Sequence, residues 1–469
     1  MKKLLLAVLS LYLLCAGEAA ADDPSWLQIG GDYRFRYDYL KGSIHAYRQA
    51  DLTLANPPGS AMPGFTVENS SLMLNRFGLN LKADALEDVT VKARFLMYKV
   101  WGHETATPVE GGTAVPVGFF GDRAMGVNDG TIGHVPSDNA LRVDYVYATV
   151  GNLFDAPVWF SVGRRPSTGG IPSNLRQNQE RTGTAGMPSL MIDYAFDGMT
   201  LGFAPDMNAL PGAYAKLCYG KGFDSGYQPT TGASLKDTDF LGLNLAVLDS
   251  DLVHVELQYQ KGWHISDTPS DGAFGTSGPT ENLGNIRWLG GVATGKIGPL
   301  NLFLSAAQSK TDPDNNTFGS NASPWGLLWT AVGAGGEGPV SAEGFALYTG
   351  ARYDMNRTKI GVEYNRGSKN WIGMVPSEDD IWTSKLGTRG SVYEVYMIQE
   401  LDRKPISRNA KAFLRLGYQY YRFAYTGSNF WIGAPVSISD LTSASLINQQ
   451  IMAPVDTAKD LYLTFDVQF

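Results

Sequence analysis

The chain has 469 residues and a formal net charge of −8, with 18% charged and 12% aromatic residues. A mildly acidic chain is poorly suited to binding nucleic acid, whose phosphates attract basic surfaces. Cys218 is the only cysteine after residue 21, which excludes an internal disulfide framework in that part of the chain. No later apolar run approaches the roughly 18 residues that a membrane helix needs.

The first 21 residues have the features of a secretory signal peptide. Lys2 and Lys3 precede an apolar run over 4–16, and Ala19 and Ala21 occupy the small-residue positions of a cleavage site. We therefore expect export with cleavage near Ala21. The remaining residues, 22–469, lack a segment with helical periodicity and are expected to form one β-domain.

Alternation of apolar and polar side chains is the main pattern after the signal. Residues 26–40 place Leu27, Ile29 and four aromatic side chains on one face, and charged side chains on the other. About 16 such segments follow one another, and short turns alternate with long connections. The long connections are 41–69, 103–139, 166–188, 222–236, 264–284, 311–342, 367–390 and 424–457. Residues 189–204 are interpreted as one strand with a bulge at Asp197 and Gly198.

These features predict an all-β fold: a transmembrane, up-and-down antiparallel β-barrel of about 16 strands, similar to a porin. The last segment, 459–469, has Leu461, Leu463 and Phe465 on one face and ends in Phe469. It resembles the closing strand of Gram-negative outer-membrane barrels, which the barrel assembly machinery recognises. The alternative is an ordinary half-buried strand that happens to end the protein.

The polar face is expected to line an aqueous pore, because about 16 strands enclose more space than side chains can fill. A one-residue shift would turn these charges to lipid at roughly 2–4 kcal/mol per Arg or Lys at the midplane. The predicted pore-lining residues are Arg34, Arg36, Arg76, Lys82, Lys92, Arg94, Arg142, Arg165, Glu256, Glu363 and Glu394. Basic residues dominate the first strands and acidic residues the later ones, which suggests oppositely charged walls facing across the lumen. Chance placement of wetted residues is the alternative.

The connection 166–188 is a candidate constriction loop. It carries Arg176, Glu180 and Arg181, and we expect Arg176 and Arg181 to lie near Arg164 and Arg165 in a narrow, anion-preferring zone. A flexible external loop is the alternative. The last long loop is unusually apolar at Phe430 to Ile432 and at Ile447 to Pro454, which is compatible with a partial plug, a docking site for a partner or a cover over the barrel mouth.

Several strand and rim segments also carry a family resemblance: NRFGLNLKA (75–83), LRVDYVYATVGN (141–152), VGRRPSTGG (162–170), PGAYAKLCYGKG (211–222), KLGTRGSVYEVY (385–396) and LRLGYQYYRF (414–423). The chain resembles a family of Gram-negative outer-membrane porins that carries only a domain-of-unknown-function label. The resemblance implies a barrel and a channel. It supplies no substrate and no functional residue.

Three functions are therefore weighed. The first is a porin for passive diffusion of small hydrophilic solutes or ions. The second is a sheath around a multihaem cytochrome, whose haem would belong to the partner because this chain has no C-x-x-C-H motif. The third is a barrel enzyme, which the five scattered histidines disfavour. No metal or cofactor is predicted. Outer-membrane lipid, lipopolysaccharide and further copies of the chain in a homotrimer are the other expected partners.

Overall fold

The computed structural model describes residues 26–49, 61–102, 136, 138–165, 169–181, 183, 186–232, 234–267, 281–318, 325–332, 336–375, 379–407, 410–442, 446–447 and 454–469. The predicted signal peptide, residues 1–21, lies outside the described residues.

Sixteen antiparallel strands form one closed barrel. In chain order they are β1 (Leu27–Ile44), β2 (Phe65–Leu86), β3 (Val89–Val100), β4 (Arg142–Val150), β5 (Val158–Arg165), β6 (Phe196–Phe203), β7 (Tyr214–Phe223), β8 (Thr238–Asp249), β9 (Val253–Trp263), β10 (Gly284–Ile297), β11 (Leu300–Pro313), β12 (Glu343–Met355), β13 (Thr358–Gly367), β14 (Gly390–Glu400), β15 (Lys411–Phe423) and β16 (Val455–Gln468). Each strand pairs with its sequence neighbours, and β1 pairs with β16. The predicted barrel class and strand number are confirmed.

The closing strand β16 shows how the sequence pattern produces the barrel. Leu461 and Leu463 are exposed on its outer face, whereas Asp460, Tyr462 and Thr464 are buried on its inner face. Its backbone pairs with β1 on one side and β15 on the other. This pairing removes both sheet edges, whose unpaired amides and carbonyls would be costly in hydrocarbon.

Short and long connections alternate around the barrel, as predicted. The short ones include residues 87–88, 250–252, 298–299 and 356–357, so one end of the barrel carries the tight turns and the other carries the long loops. We call these the turn end and the loop end. Small sheets occur within the loops, one formed by Trp325–Gly326 and Trp329–Thr330. Among the described residues, no helix is long and apolar enough to cross a membrane.

The predicted strand 189–204 is wrong in its first part, because β6 begins at Phe196. The preceding residues Leu190, Met191, Ile192 and Tyr194 are all buried. Consecutive residues of a strand point to opposite faces, so a run that is apolar in both phases does not fit a wall with lipid on one side and polar groups on the other. This run instead packs inside the barrel.

Candidate functional site in the barrel lumen

The centre of the barrel contains parts of its own loops. Three stretches, which we call the inserted segments, are the described residues within 169–195 after β5, 368–389 after β13 and 424–442 after β15. Their apolar side chains form a continuous buried cluster with inward-facing residues of the strands β8, β10, β11 and β12. The hydrophobic core of this protein therefore lies in the lumen.

We call the inward-facing residues Phe240, Ile286, Trp288 and Phe303 the apolar wall. Trp371 and Ile372 of the second inserted segment pack in the same cluster, together with Phe430 and Trp431 of the third. The Trp288 indole nitrogen donates a hydrogen bond of 2.8 Å to the carbonyl of Ile372. Burial of large aromatic side chains supplies most of the stabilisation here, because each removes a large apolar area from water. The apolar run at Phe430 to Ile432 is buried. Trp431 is hydrogen-bonded to Ser266 and Leu328 of two other loops.

Backbone hydrogen bonds join the inserted segments to one another. Met374 donates its amide to Met191 at 2.9 Å, and Asp193 donates its amide to Met374 at 2.8 Å. The third segment is linked through Arg389, which is fully buried. Its guanidinium donates to the carbonyls of Trp371 (3.0 Å) and Gly427 (2.7 Å) and also to Thr426 and Phe430. Burial lowers the pKa of Arg389 to about 9, and the carbonyl acceptors satisfy its donors.

The opposite side of the lumen is apolar near the loop end, where Ile381 and Trp382 pack in a second buried cluster with Leu40 and Leu74, and charged closer to the turn end. We call the charged part of the inner faces of β1, β2, β13, β14, β15 and β16 the ionic wall. Asp379 of the second inserted segment contacts Arg34 and lies 3.2 Å from the Arg415 guanidinium. Burial by itself raises the pKa of Asp379, but Arg34, Arg415 and Arg76 hold it well below its usual range. Asp379 is therefore ionised and bound to several cations at neutral pH.

Arg176 and Lys385 extend this network from the inserted segments to two carboxylates of the wall. Arg176 donates to Asp380 at 2.6 Å and to Glu394 at 3.2 Å. Lys385 contacts Glu363 and Glu394. Burial alone would lower the pKa of Arg176, but Asp380 and Glu394 raise it well above its usual value. Removing one partner would leave a buried charge uncompensated, which is the costly way to break such a network.

The first inserted segment reaches the turn end of the barrel. It contains one helical turn, Ser173–Arg176, and its tip is Asn178. The Asn178 amide donates to Glu400 at 2.9 Å, and its side-chain oxygen accepts a hydrogen bond of 2.6 Å from Lys359. Lys411 donates to the Asn178 carbonyl at 2.5 Å. The segment therefore crosses the lumen and contacts the far rim.

A cavity of about 720 Å³ remains between the first inserted segment and the strands β7 to β12, near the turn end. Its lining carries both charge signs, with Glu180, Asp251 and Glu256 on the acidic side. Arg181 and Lys296 are among its basic residues. The cavity is thus polar, whereas the space on its loop-end side is occupied by the inserted segments.

The predicted pore-lining residues face inward, but many of them are covered. Arg34, Arg36, Arg76, Glu363 and Glu394 are buried in the ionic network. Glu256 is also buried and lines the cavity. Lys82 is half-exposed and 3.0 Å from Asp84, and Arg142 is 2.6 Å from Asp138. Arg94 pairs with Asp32 at 2.6 Å, Arg165 lies over the Tyr147 ring, and Lys92 is half-buried.

The expected arrangement of charged walls facing across the lumen needs correction. Arg36 is 2.9 Å from Asp460, and Arg34 contacts Asp466. The first and last strands are neighbours in a closed barrel, so these opposite charges lie side by side. They neutralise each other locally and do not produce a field across an open lumen.

The candidate constriction loop does fold into the barrel, but its neighbours differ from those expected. Arg176 contacts Asp380 and Glu394, and Arg181 is 2.6 Å from Asp249. Glu180 lines the cavity. Arg165 instead contacts Ser161 and the rings of Tyr147 and Trp159. Because the guanidinium groups of Arg176 and Arg181 are paired with carboxylates, they do not support the predicted anion-preferring constriction.

Sequence reasoning missed the residues that hold the second inserted segment, above all Asp379, Lys385 and Arg389. They lie in the long connection 367–390, to which strand alternation assigns no place in the barrel. A signal was present, because Trp371, Ile372 and further apolar residues are unusual in a solvated loop. Their apolar character indicated burial, but not which strands would cover them.

This chain is similar to one sequence family and, more distantly, to several solved structures. Residues 66–469 match the family model DUF3373, described as a protein of unknown function. The chain belongs to this family. Among curated proteins, no sequence matches. Similar solved structures include the outer-membrane expressed OmpT of Vibrio cholerae, with 12% identity, a TM-score of 0.41 and coverage of 96% of this chain and 100% of that one.

Two other solved structures have comparable similarity to this DUF3373 member. One is an anion-selective porin from Comamonas acidovorans, with 11% identity, a TM-score of 0.44 and coverage of 94% of this chain and 99% of that one. The other is Salmonella typhi OmpF in complex with daunomycin, with 10% identity, a TM-score of 0.42 and coverage of 94% and 97%.

Proposed function

We propose that this protein is a bacterial outer-membrane channel of restricted width, through which small hydrophilic solutes or ions diffuse passively beside the inserted segments. The observation that carries this proposal is the division of the lumen into two parts. One part is filled by the packed inserted segments, which together form a plug, and the other is a polar cavity of about 720 Å³. A barrel with an apolar exterior and charged interior suits a lipid environment outside and water inside. The predicted signal peptide supports an exported location as well.

The plug favours a selective channel over a wide diffusion pore. Its apolar cluster and its ion pairs both connect inserted segments to the wall, so solutes must pass around them. Ion selectivity is expected to be weak, because cations and carboxylates both line the cavity and Arg181 is paired with Asp249.

The cytochrome sheath is disfavoured by the same observation. A multihaem partner inside this barrel would have to displace buried residues such as Trp371 and break the contacts of Asp379. The enzyme hypothesis also lacks support at His254, a buried histidine on the inner face of β9. Its two ring nitrogens contact Asp249 at 3.0 Å and Glu256 at 3.3 Å, so neither nitrogen is available to activate a hydroxyl nucleophile.

Planar-bilayer recording of the purified protein tests the proposal. We expect small unitary conductance steps in the wild type and larger or noisier steps in Arg176→Gln, because that change releases Asp380 and Glu394 from their partner. Arg142→Gln is the matched control, since its ion pair with Asp138 lies at the loop end of β4 outside the network. A wild-type protein that conducts no current, together with an equally silent Arg176→Gln variant, would contradict the channel function.

A further inference from the structure

A row of basic residues lies on the outside of the barrel near its loop end. Lys261 of β9 is directly opposite Arg287 of β10, and Arg287 is directly opposite Lys310 of β11. We call these three residues the outer basic cluster. Directly opposing side chains in a sheet have Cβ atoms roughly 5 Å apart, and like charges at this distance are destabilising. The cluster therefore carries an unfavourable repulsion in the absence of an anion.

The neighbouring residues show that the cluster points away from the lumen. Ile286 and Trp288, on either side of Arg287, are buried inside the barrel, whereas Arg287 and Leu289 are exposed on the outer face. Tyr259, two residues before Lys261, is exposed as well. The positive charges thus belong to the outer surface and take no part in the lumenal network.

The three cations are only partly compensated by protein groups. Lys310 forms an ion pair of 2.6 Å with Glu343, the next residue in the row. Lys261 lies 5.0 Å above the ring of Trp263. Arg287 makes no hydrogen bond or ion pair with any residue in the described part of the chain, so its planar set of donors is available to a ligand.

A groove of about 240 Å³ is formed at the same place. It is lined by the three cations and by Asn285, Asp312 and Ser341, among others. Asp312 is the acidic lining residue, and it accepts a hydrogen bond of 3.2 Å from the Asn285 amide. Lys261 and Arg287 form no ion pair with a carboxylate among the described residues, and Arg287 has only a longer-range attraction to Glu343. Two such cations beside a groove with polar donors suit the oxygen atoms of a phosphate monoester.

The row immediately closer to the membrane is mainly apolar. Tyr259 is opposite Leu289, and Phe345 follows in the same row after Gln308. Basic side chains directly above an apolar surface match a ligand whose phosphates lie at the interface and whose acyl chains lie in the bilayer. At the loop end of an outer-membrane barrel, the lipid of that chemistry is the phosphorylated disaccharide anchor of lipopolysaccharide.

We propose that the outer basic cluster binds a phosphate of one lipopolysaccharide molecule, with Arg287 and Lys261 as the principal donors. This proposal rests on the outer-membrane location proposed above, but it does not depend on whether the lumen conducts. Binding would remove the repulsion between the opposing cations and attach a lipid to the outer face of β9 to β11.

Lipid retention by the purified protein in detergent, measured by native mass spectrometry, tests the site. Wild type is expected to retain phosphorylated lipopolysaccharide about tenfold or more better than the variant K261Q/R287Q. The matched control is Lys41→Gln, because Lys41 is also an outward-facing cation near the loop end but pairs with Glu68 at 3.1 Å. Heat-dependent gel mobility establishes that each variant contains a folded barrel.

Three comparisons decide the outcome. Enzymatically dephosphorylated lipopolysaccharide should bind the wild type as weakly as the intact lipid binds K261Q/R287Q, and millimolar inorganic phosphate should not displace the intact lipid. Equal retention by wild type and K261Q/R287Q would overturn the site, and so would full displacement by inorganic phosphate, which would indicate a simple anion site. Bilayer conductance of K261Q/R287Q should equal that of wild type, so failure of the lipid site and failure of the channel are observed separately.

Discussion

The apolar wall and the ionic wall hold the inserted segments by different physical means. On the apolar wall, Trp288 and Phe303 pack against Trp371 and Ile372. On the ionic wall, Arg34 and Arg415 bind Asp379, and Glu394 binds Arg176. The comparison shows that inward-facing residues of the same barrel can form either an apolar core or a network of ion pairs with the loops that cover them. The two sides should consequently respond differently to mutation and to pH.

The largest effect is expected from Asp379→Asn on the ionic side. The amide cannot neutralise Arg34 and Arg415, and breaking a buried charge network from one side typically costs about 3–5 kcal/mol. The free energy of unfolding in urea, followed by tryptophan fluorescence, would measure this loss. The partly exposed Asp456, whose partner is His45, offers a control in Asp456→Asn. Equal stability of the two variants would contradict the assigned role of the ionic wall.

A comparable or slightly smaller loss is expected from Ile372→Ala on the apolar side. Truncating a buried Ile removes apolar burial and leaves a cavity, at a cost of about 2–5 kcal/mol. The same urea titration applies, with Ile406→Ala as the control because Ile406 is fully exposed in a connection at the turn end. An unchanged midpoint for Ile372→Ala would show that the inserted segments do not contribute to global stability.

The ionic wall and the apolar wall should respond differently to acid. The pKa of Asp379 is lower in the folded protein than its ordinary value near 3.8, so the folded state binds fewer protons. The stabilisation by this group is therefore complete above about pH 4 and is lost as the pH falls toward the folded pKa. Cleavage within residues 379–389 by pepsin, which is active in acid, should therefore increase as the pH falls below 4. The Asp379→Asn variant should show a smaller acid response, and an identical response would exclude Asp379 as the titrating group.

The smallest effect is expected at the exposed outer pair of Lys41 and Glu68. Solvent and salt screen such pairs, so Lys41→Gln should leave the urea midpoint within experimental error. A shift as large as that of Asp379→Asn would show that outward-facing ion pairs stabilise this barrel as much as the buried network does.

Much of the barrel could be predicted because the alternation of side chains along a strand depends only on neighbouring residues. Alternation at a period of two identified the faces of β1 and β16, and the length of the connections identified the turn end and the loop end. The prediction failed at residues 189–195, where apolar residues occupy both phases. Alternation alone cannot assign such a run to the lumen, because apolar side chains occur facing lipid, in a hydrophobic core and, as here, inside a barrel.

The candidate site was only partly predictable. The sequence identified Arg34 and Glu394 as inward-facing but provided no information on their partners. It placed Arg176 in a candidate constriction loop near Arg164 and Arg165, whereas its partners are Asp380 and Glu394. Asp379 is 345 residues from Arg34 along the chain. A contact at this separation depends on barrel closure and on the path of an irregular loop, neither of which leaves a periodic signal.

The amino-acid sequence by itself determined the alternating strands, their approximate number, and which side chains point inward. Each of these follows from the geometry of a few neighbouring residues. Only the tertiary structure decided that the first strand lies beside the last, that the loops occupy the lumen, and that Arg287 has cationic neighbours on both sides. Those features depend on closure of the sheet and on the register between strands, which bring distant residues together.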